Sequence, residues 1–202
     1  MNNLQDKFNK EISRNLQKTL GIKNPMAVPR LKKIVANIGV KDATQDKKNM
    51  EKASLMLSQI TGQKPKGTIA KKAISGFKLR EGDQIGLMVT LRGKRMYDFF
   101  ERLVGIVLPR FRDFHGAKKE SFDGRGSYTL GLAESTVFPE LDPGKIDQTI
   151  GRQGLEVSIV TSAKDNREGF ELLKALGMPF RHEAPQIETR ETRNTTKYFS
   201  GS

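Results

Sequence analysis

His115 and His182 are the only imidazoles in the chain, and neither has the company that catalysis or metal binding needs. There is no cysteine beside them, and no second histidine at a metal-ligand spacing. Zero cysteines exclude disulfides, thiolate metal sites and a Cys nucleophile. Glu51, Glu101 and Glu140 have no evident paired carboxylate for acid–base work. Asp123-Gly-Arg-Gly126 contains a Gly-x-Gly, but it lacks the third glycine of a dinucleotide loop and any helix pattern after it. It reads as a turn into the next strand. No Gly-x-x-x-x-Gly-Lys-Ser/Thr phosphate loop is present. The sequence therefore points to no metal, no cofactor and no catalytic centre. What it offers instead is positive charge.

That charge is concentrated between Thr61 and Arg95. The stretch holds nine Lys or Arg, at 64, 66, 71, 72, 78, 80, 92, 94 and 95, against Glu81 and Asp83. Its net +7 is about half of the chain's +13. Ile85, Leu87, Val89 and Leu91 alternate with Gln84, Gly86, Met88 and Thr90, the period of a half-buried strand. Upstream, Lys66 to Ala73 could form its partner. Between them, Ile74-Ser-Gly-Phe-Lys-Leu-Arg-Glu-Gly-Asp83 carries two glycines, a charged tip and an exposed aromatic candidate, Phe77. This predicts a strand, a projecting basic loop and a strand. Such a loop suits a phosphate-rich partner, because Lys and Arg neutralise phosphates and release counterions. A solvated hairpin that only keeps the protein soluble has the same pattern.

The rest of the composition fits that partner. A sequence pI near 10.0 points to polyanions, nucleic acid ahead of an anionic membrane surface. Apolar residues make up 36%, and the glycines bring the figure to about 45%, normal for a globular chain. The longest apolar run, Leu103 to Leu108, is far too short to span a bilayer. The opening Met-Asn-Asn-Leu-Gln-Asp-Lys has no apolar signal core, so a cytoplasmic location without membrane contact is expected.

Elements to carry the basic loop follow from periodicity. Leu4, Phe8, Ile12, Leu16 and Leu20 recur every four residues, a helix with a narrow apolar stripe closed by Gly21. Ile34, Ala36, Ile38 and Val40 alternate with Val35, Asn37 and Gly39, a strand. Asp42 and Gln45 resemble a capping box before Met50, Ala53, Leu57 and Ile60, a second helix ended by Gly62. Met96, Phe99, Phe100, Leu103, Val104, Val107 and Leu108 make the broadest helical stripe, with Pro109 expected to stop it. Arg110 to Gly126 is irregular and basic, with Phe111, Phe114 and Phe122 interleaved. Those aromatics either stack on RNA or anchor the loop to its own domain; anchoring is the commoner use. Strands follow at Tyr128, Leu130, Leu132 and at Leu155, Val157, Ile159, separated by a Pro-containing loop over Val137 to Gly151. Asp165 and Glu168 open the last helix, through Phe170, Leu173 and Leu176, and Gly177 caps it.

The expected fold is α+β: a single domain over residues 1–180, mainly antiparallel sheet, with helices on one face and the other face open. Each strand pairs an apolar face with a small, polar one. The second face offers Asn37, Gly39, Gln84, Gly86, Thr90, Ser127, Thr129, Gly131 and Ser158. Small residues let a partner's backbone approach, and amides and hydroxyls can meet phosphates or 2′-hydroxyls. No aromatic pair sits there for stacking, so structured RNA recognised by shape is expected, not a splayed single strand. A sheet face simply left to solvent would look the same. From His182 the periodicity is lost, leaving a polar tail over 181–202.

Several separate motifs resemble one family. They are Leu57-Ser-Gln-Ile-Thr-Gly-Gln-Lys-Pro65, Thr68-Ile-Ala-Lys-Lys72, Gly76-Phe-Lys-Leu-Arg80, Val89-Thr-Leu-Arg-Gly93, Phe122-Asp-Gly-Arg-Gly126 and Phe138-Pro-Glu140. The resemblance is to bacterial-type large-subunit ribosomal protein number five, and it runs in order from about Leu4 to Phe180. It implies a structural protein, not an enzyme, that binds 5S rRNA and attaches it in the central protuberance. It also implies contacts with 23S rRNA, P-site tRNA, other central-protuberance proteins and small-subunit ribosomal protein number thirteen. Asn37, Gln63 and Thr90 are the 5S rRNA contacts that it implies, joined by the basic Lys71, Lys72 and Arg92. The loop Ala73 to Asp83, with Ser75, Gly76, Phe77, Lys78 and Arg80, becomes the tRNA-facing tip. The bridge between subunits falls in the Arg110–Lys119 and Pro139–Ile150 loops. Two features depart from the family. Lys66-Gly67 stand where it has apolar strand residues, and the tail runs past its usual end. A free-standing RNA chaperone or assembly factor on the same fold is the alternative. An enzyme acting on nucleic acid is a second, lacking the residues it would need.

Overall fold

The computed structural model describes residues 4–40, 47–77, 79–111, 114–141 and 153–181. Five strands alternate as the sequence predicts: β1 (Leu31–Gly39), β2 (Lys66–Ile69), β3 (Gln84–Leu91), β4 (Tyr128–Leu132) and β5 (Leu155–Thr161). They form one sheet in the order β2-β3-β1-β5-β4, antiparallel throughout. The first strand therefore lies in the middle of the sheet, flanked by β3 and β5. One face carries Ile34, Ala36, Ile38, Leu87, Val89, Leu91, Leu155, Val157, Ile159 and Tyr128, all buried.

Helices cover that face. A long helix over residues 4–20, α1, presents Leu4, Phe8 and Leu16 to the core. α2 (Lys47–Thr61) buries Met50, Ala53, Met56, Leu57 and Ile60. α3, over residues 93–110, buries Met96, Tyr97, Phe99, Phe100, Leu103, Val107 and Leu108. α4 (Asn166–Ala175) adds Leu172 and Leu173. A broad stripe such as that of α3 can sit flat on a sheet, which is why it packs against β1 while narrow-striped α1 lies against α3 and α4. All of these buried residues belong to one continuous hydrophobic cluster.

The helix ends follow the expected chemistry. Gly21, Gly62 and Gly177 all adopt positive φ just past their helices, as C-cap glycines do. Asp165 accepts from the Glu168 backbone N–H at 2.8 Å, and the Glu168 carboxylate reaches back to the N–H of Lys164 at 2.9 Å. Asp42 and Gln45 lie outside the described residues.

Two expectations need correction. Pro109 does not stop α3 before itself; the last turn, Leu108–Arg110, includes it. A π-turn over Leu103–Val107 precedes it, with the Leu108 N–H bonded to the Leu103 carbonyl, so the ladder is already rearranged where proline's missing N–H falls. The strand expected over Lys66 to Ala73 ends at Ile69, because the register with β3 breaks after Thr68. From there Ala70 turns inward, its N–H donating to the Asp83 carbonyl at 2.8 Å.

Candidate nucleic-acid interface

The strand registers turn the uncovered face into rows. Lys66, Met88, Asn37, Glu156 and Gly131 stand side by side, one from each strand. The next row is Thr90, Val35, Ser158 and Thr129. Lys33 and Val160 follow it. On the other side Thr68, Gly86 and Gly39 form a nearly side-chain-free strip. A Cβ on Gly86 would sit 2.7 Å from the Ile38 carbonyl oxygen, so that position requires glycine. No helix among the described elements lies over these rows, and most of their side chains are exposed or half-buried.

The polar groups on this face hold one another in place. Asn37 donates Nδ2 to Glu156 Oε2 at 3.3 Å. A carboxylate can only accept, so the amide's own acceptor, Oδ1, is turned away from Glu156. Thr129 and Ser158 share a hydroxyl contact at 3.4 Å. Gln63 lies in the connection before β2, not on a strand, and donates Nε2 to the Thr90 backbone carbonyl at 3.4 Å. It thus extends the β3 edge past the start of β2 and leaves its Oε1 and the Thr90 hydroxyl for other partners. Arg92 is exposed at the end of β3, immediately before α3. Asn37, Gln63, Thr90 and Arg92 are therefore brought to one region.

Lys71 and Lys72 fall elsewhere. They are exposed at the base of the β2–β3 loop, beyond the last strand residue. That loop is a narrow hairpin. Ile74 and Leu79 exchange backbone hydrogen bonds at 3.0 and 3.1 Å, and Ser75 and Gly76 are exposed at the tip. Exposed Arg80 gives its N–H to Asp83 Oδ2 at 2.8 Å, so Asp83 shapes the loop as well as balancing its charge. Lys78 and the Phe77 side chain lie outside the described residues.

The aromatics between Arg110 and Gly126 anchor. Phe111, Phe114 and Phe122 pack on the core. Phe122 lies edge-on to Tyr128 at 4.9 Å between centroids and stacks with Phe180 at 6.1 Å. Ala117 pairs with the segment that follows α4, its N–H donating to the Pro179 carbonyl and its carbonyl accepting from Arg181, so the loop is zipped to that segment. The Asp123-Gly-Arg-Gly126 segment is the expected turn: Asp123 Oδ1 accepts from Arg125 and Ser127 at 2.8 and 2.9 Å. Slight burial pushes the Asp123 carboxyl up, but these N–H groups outweigh it and hold the group below the ordinary carboxylate range. His115 is exposed nearby, and His182 lies outside the described residues. Of the two loops expected to bridge the subunits, 112–113 and 142–150 are outside the described residues. Glu140 is clamped to Arg102.

Sequence reasoning passed over Glu156 and Lys33 on the open face, and noted Lys66 only as a departure from the family that could weaken the start of β2 or add a phosphate contact. The signal was there: Glu156 has the same parity as Ser158 along β5, and Lys66 the same as Thr68 along β2. Lys66 extends the polar face, while Gly67, paired with buried Leu87, points to the helix side; the Gln84 side chain, expected on the open face, lies instead 3.3 Å from where a Gly67 Cβ would be, past the register break between Thr68 and Ile69.

A sheet with helices on one side and a polar, partly basic face on the other defines a class: α+β proteins that present a rigid surface to a polyanion. The comparisons are specific within that class. Residues 24–80 match the family model described as Ribosomal protein L5, and residues 84–180 match the model of the same ribosomal family's C-terminus. The large ribosomal subunit protein uL5 of Herpetosiphon aurantiacus is 52% identical over 181 residues, covering 90% of this chain and 99% of that protein. The protein of the same name from Moorella thermoacetica is 51% identical over the same extent. The chain belongs to the ribosomal protein L5 family.

Proposed function

We propose that the chain is a structural constituent of the large ribosomal subunit that binds 5S rRNA through its open sheet face and helps attach it in the central protuberance. As a member of this family it is an RNA-binding structural protein and not an enzyme. The observation that carries the reading is the row across the sheet. A rigid, uncovered face offers hydrogen-bonding groups one strand apart, with a cation, Lys66, at its β2 side. Amides and hydroxyls set on a fixed lattice suit a folded RNA read by shape and by its 2′-hydroxyls.

In this reading Asn37, Gln63, Thr90 and Arg92 touch 5S rRNA. Lys71 and Lys72 add phosphate contacts from the loop base, and 23S rRNA meets the same basic side. The tip from Ser75 to Arg80 faces P-site tRNA. The loops Arg110–Lys119 and Pro139–Ile150 meet small-subunit protein number thirteen. The protein works in the cytoplasm as part of the ribosome; no helix among the described residues is long and apolar enough to cross a membrane. Residues 1–180 act as one domain, and 181–202 as a polar extension.

The test is which RNA stays with the protein. Large subunits washed in high salt should retain it, and the free protein expressed with excess RNA should co-purify with 5S rRNA. Release from mature subunits with a mixed RNA content would favour the chaperone reading.

A further inference from the structure

The carboxylate of Glu156 stands in the middle of a face that the reading above assigns to RNA. Like-charge repulsion keeps any phosphate away from it. Yet the residue is built into the row. Its Oε2 holds the Asn37 amide at 3.3 Å, and its neighbour on β4 is Gly131, where a Cβ would meet nothing within 4 Å. The space beside the carboxylate is thus open, and its other lone pairs have room for a partner. At the far end of the same row stands Lys66, exposed, roughly 14 Å away at three strand spacings. The row runs from cation through amide to anion.

We propose that Glu156 is a specificity-determining contact of the open face, accepting a hydrogen bond from a neutral donor of the bound RNA while it fixes the orientation of Asn37. The proposal rests on that face being the RNA surface. The donor is a ribose 2′-hydroxyl or a base amino group; both are neutral donors that a carboxylate takes well. Asn37, with Nδ2 committed to Glu156, presents Oδ1 as a second acceptor beside it. The β2 side, with Lys66, takes the phosphate backbone, so the charge gradient sets which way round the RNA lies. A face selected only for phosphate would place lysine or arginine at position 156. Glu156 instead trades general attraction for discrimination.

The variants Glu156→Ala and Glu156→Gln sit on an exposed strand face, so both should fold. Binding of full-length 5S rRNA is measured for each across a salt series, with Thr90→Val as a control on the face itself. Analogue interference mapping follows, with 5S rRNA pools sparsely substituted by 2′-deoxynucleotides, by inosine or by purine riboside. Glu156→Ala should weaken binding roughly tenfold or more, the loss of a charge-assisted hydrogen bond, with the slope against salt unchanged. Glu156→Gln, which keeps a neutral acceptor, should fall between. One interference signal seen with the unaltered protein should vanish with Glu156→Ala; loss of a deoxy signal identifies a ribose donor, and loss of an inosine or purine signal a base donor. Equal or tighter binding by Glu156→Ala, or an unchanged interference map, overturns the proposal. If Thr90→Val also binds normally, the assignment of the face fails with it; if Thr90→Val is impaired, only the role of Glu156 fails.

Discussion

Gln63 donates its side-chain amide to the backbone carbonyl of Thr90 at 3.4 Å, from a connection that lies just outside the sheet. A backbone carbonyl can only accept, so the contact also orients the Gln63 amide. One residue therefore ties down the end of β3 and presents an acceptor beside the Thr90 hydroxyl. Gln63→Ala should cost stability as well as RNA affinity, about 0.5–1.5 kcal/mol for one neutral hydrogen bond. Urea denaturation of the RNA-free protein measures this. An unchanged midpoint would mean that the amide contributes to binding alone.

Gly126 and Gly169 meet backbone to backbone. A Cβ on Gly169 would lie 2.5 Å from the Gly126 carbonyl oxygen, which also accepts the Thr161 hydroxyl at 2.8 Å. The turn after Phe122 is thereby docked on the start of α4. Gly169→Ala should destabilise by about 1–3 kcal/mol, as overpacking does. Gly131→Ala, on the open face with free space, should stay within about 0.5 kcal/mol of the parent. Thermal melts of the two variants side by side check the contrast.

Asp123 gives the same turn a pH dependence. Its folded-state pKa is held below the unfolded value by the Arg125 and Ser127 N–H groups, despite the opposing push of burial. The contribution is present above the ordinary carboxylate range, about pH 4, and is lost as pH falls through the folded value. The stability gap between the parent and Asp123→Ala should be widest near neutral pH and narrow in acid. A gap that widens in acid would reverse the assigned sign.

The sheet was legible because its strands alternate cleanly; Ile34, Ala36 and Ile38 against Asn37 and Gly39 separate the two faces. The C-cap glycines and the Asp165–Glu168 box were legible for a related reason, since their chemistry is local. Partnerships across strands were not. That Asn37 meets Glu156 depends on the β1–β5 register, which pairs residues 119 positions apart and has no signature in either segment. The early end of β2 was hidden too, because the register break between Thr68 and Ile69, after which the Ala70 N–H meets the Asp83 carbonyl, is a cross-strand feature with no signature in the segment itself. Pro109 misled for a different reason. Proline usually ends a helix, but the π-turn before it had already displaced the hydrogen bond it would break.

The proposed reading gives the tip of the β2–β3 hairpin, not its base, to tRNA. Its Ile74–Leu79 bridge ties off a tip where Ser75 and Gly76 are exposed. Lys78→Ala with Arg80→Ala should leave 5S rRNA affinity nearly unchanged. It should speed tRNA release from the P site and reduce the salt dependence of that contact by about one unit per lost phosphate partner. Both bindings are measured on the same double variant, and loss of 5S rRNA affinity with normal tRNA retention would show the surfaces exchanged.

The central claim is that the row through Asn37 and the Thr90 position beside it form the 5S rRNA surface. Filter-binding titration of 5S rRNA against the double variant Asn37→Ala, Thr90→Val tests it most directly, with a thermal melt of the same sample. The account predicts weakened binding at an almost unchanged melting temperature, because both side chains face away from the core. Full affinity in a folded double variant would contradict it.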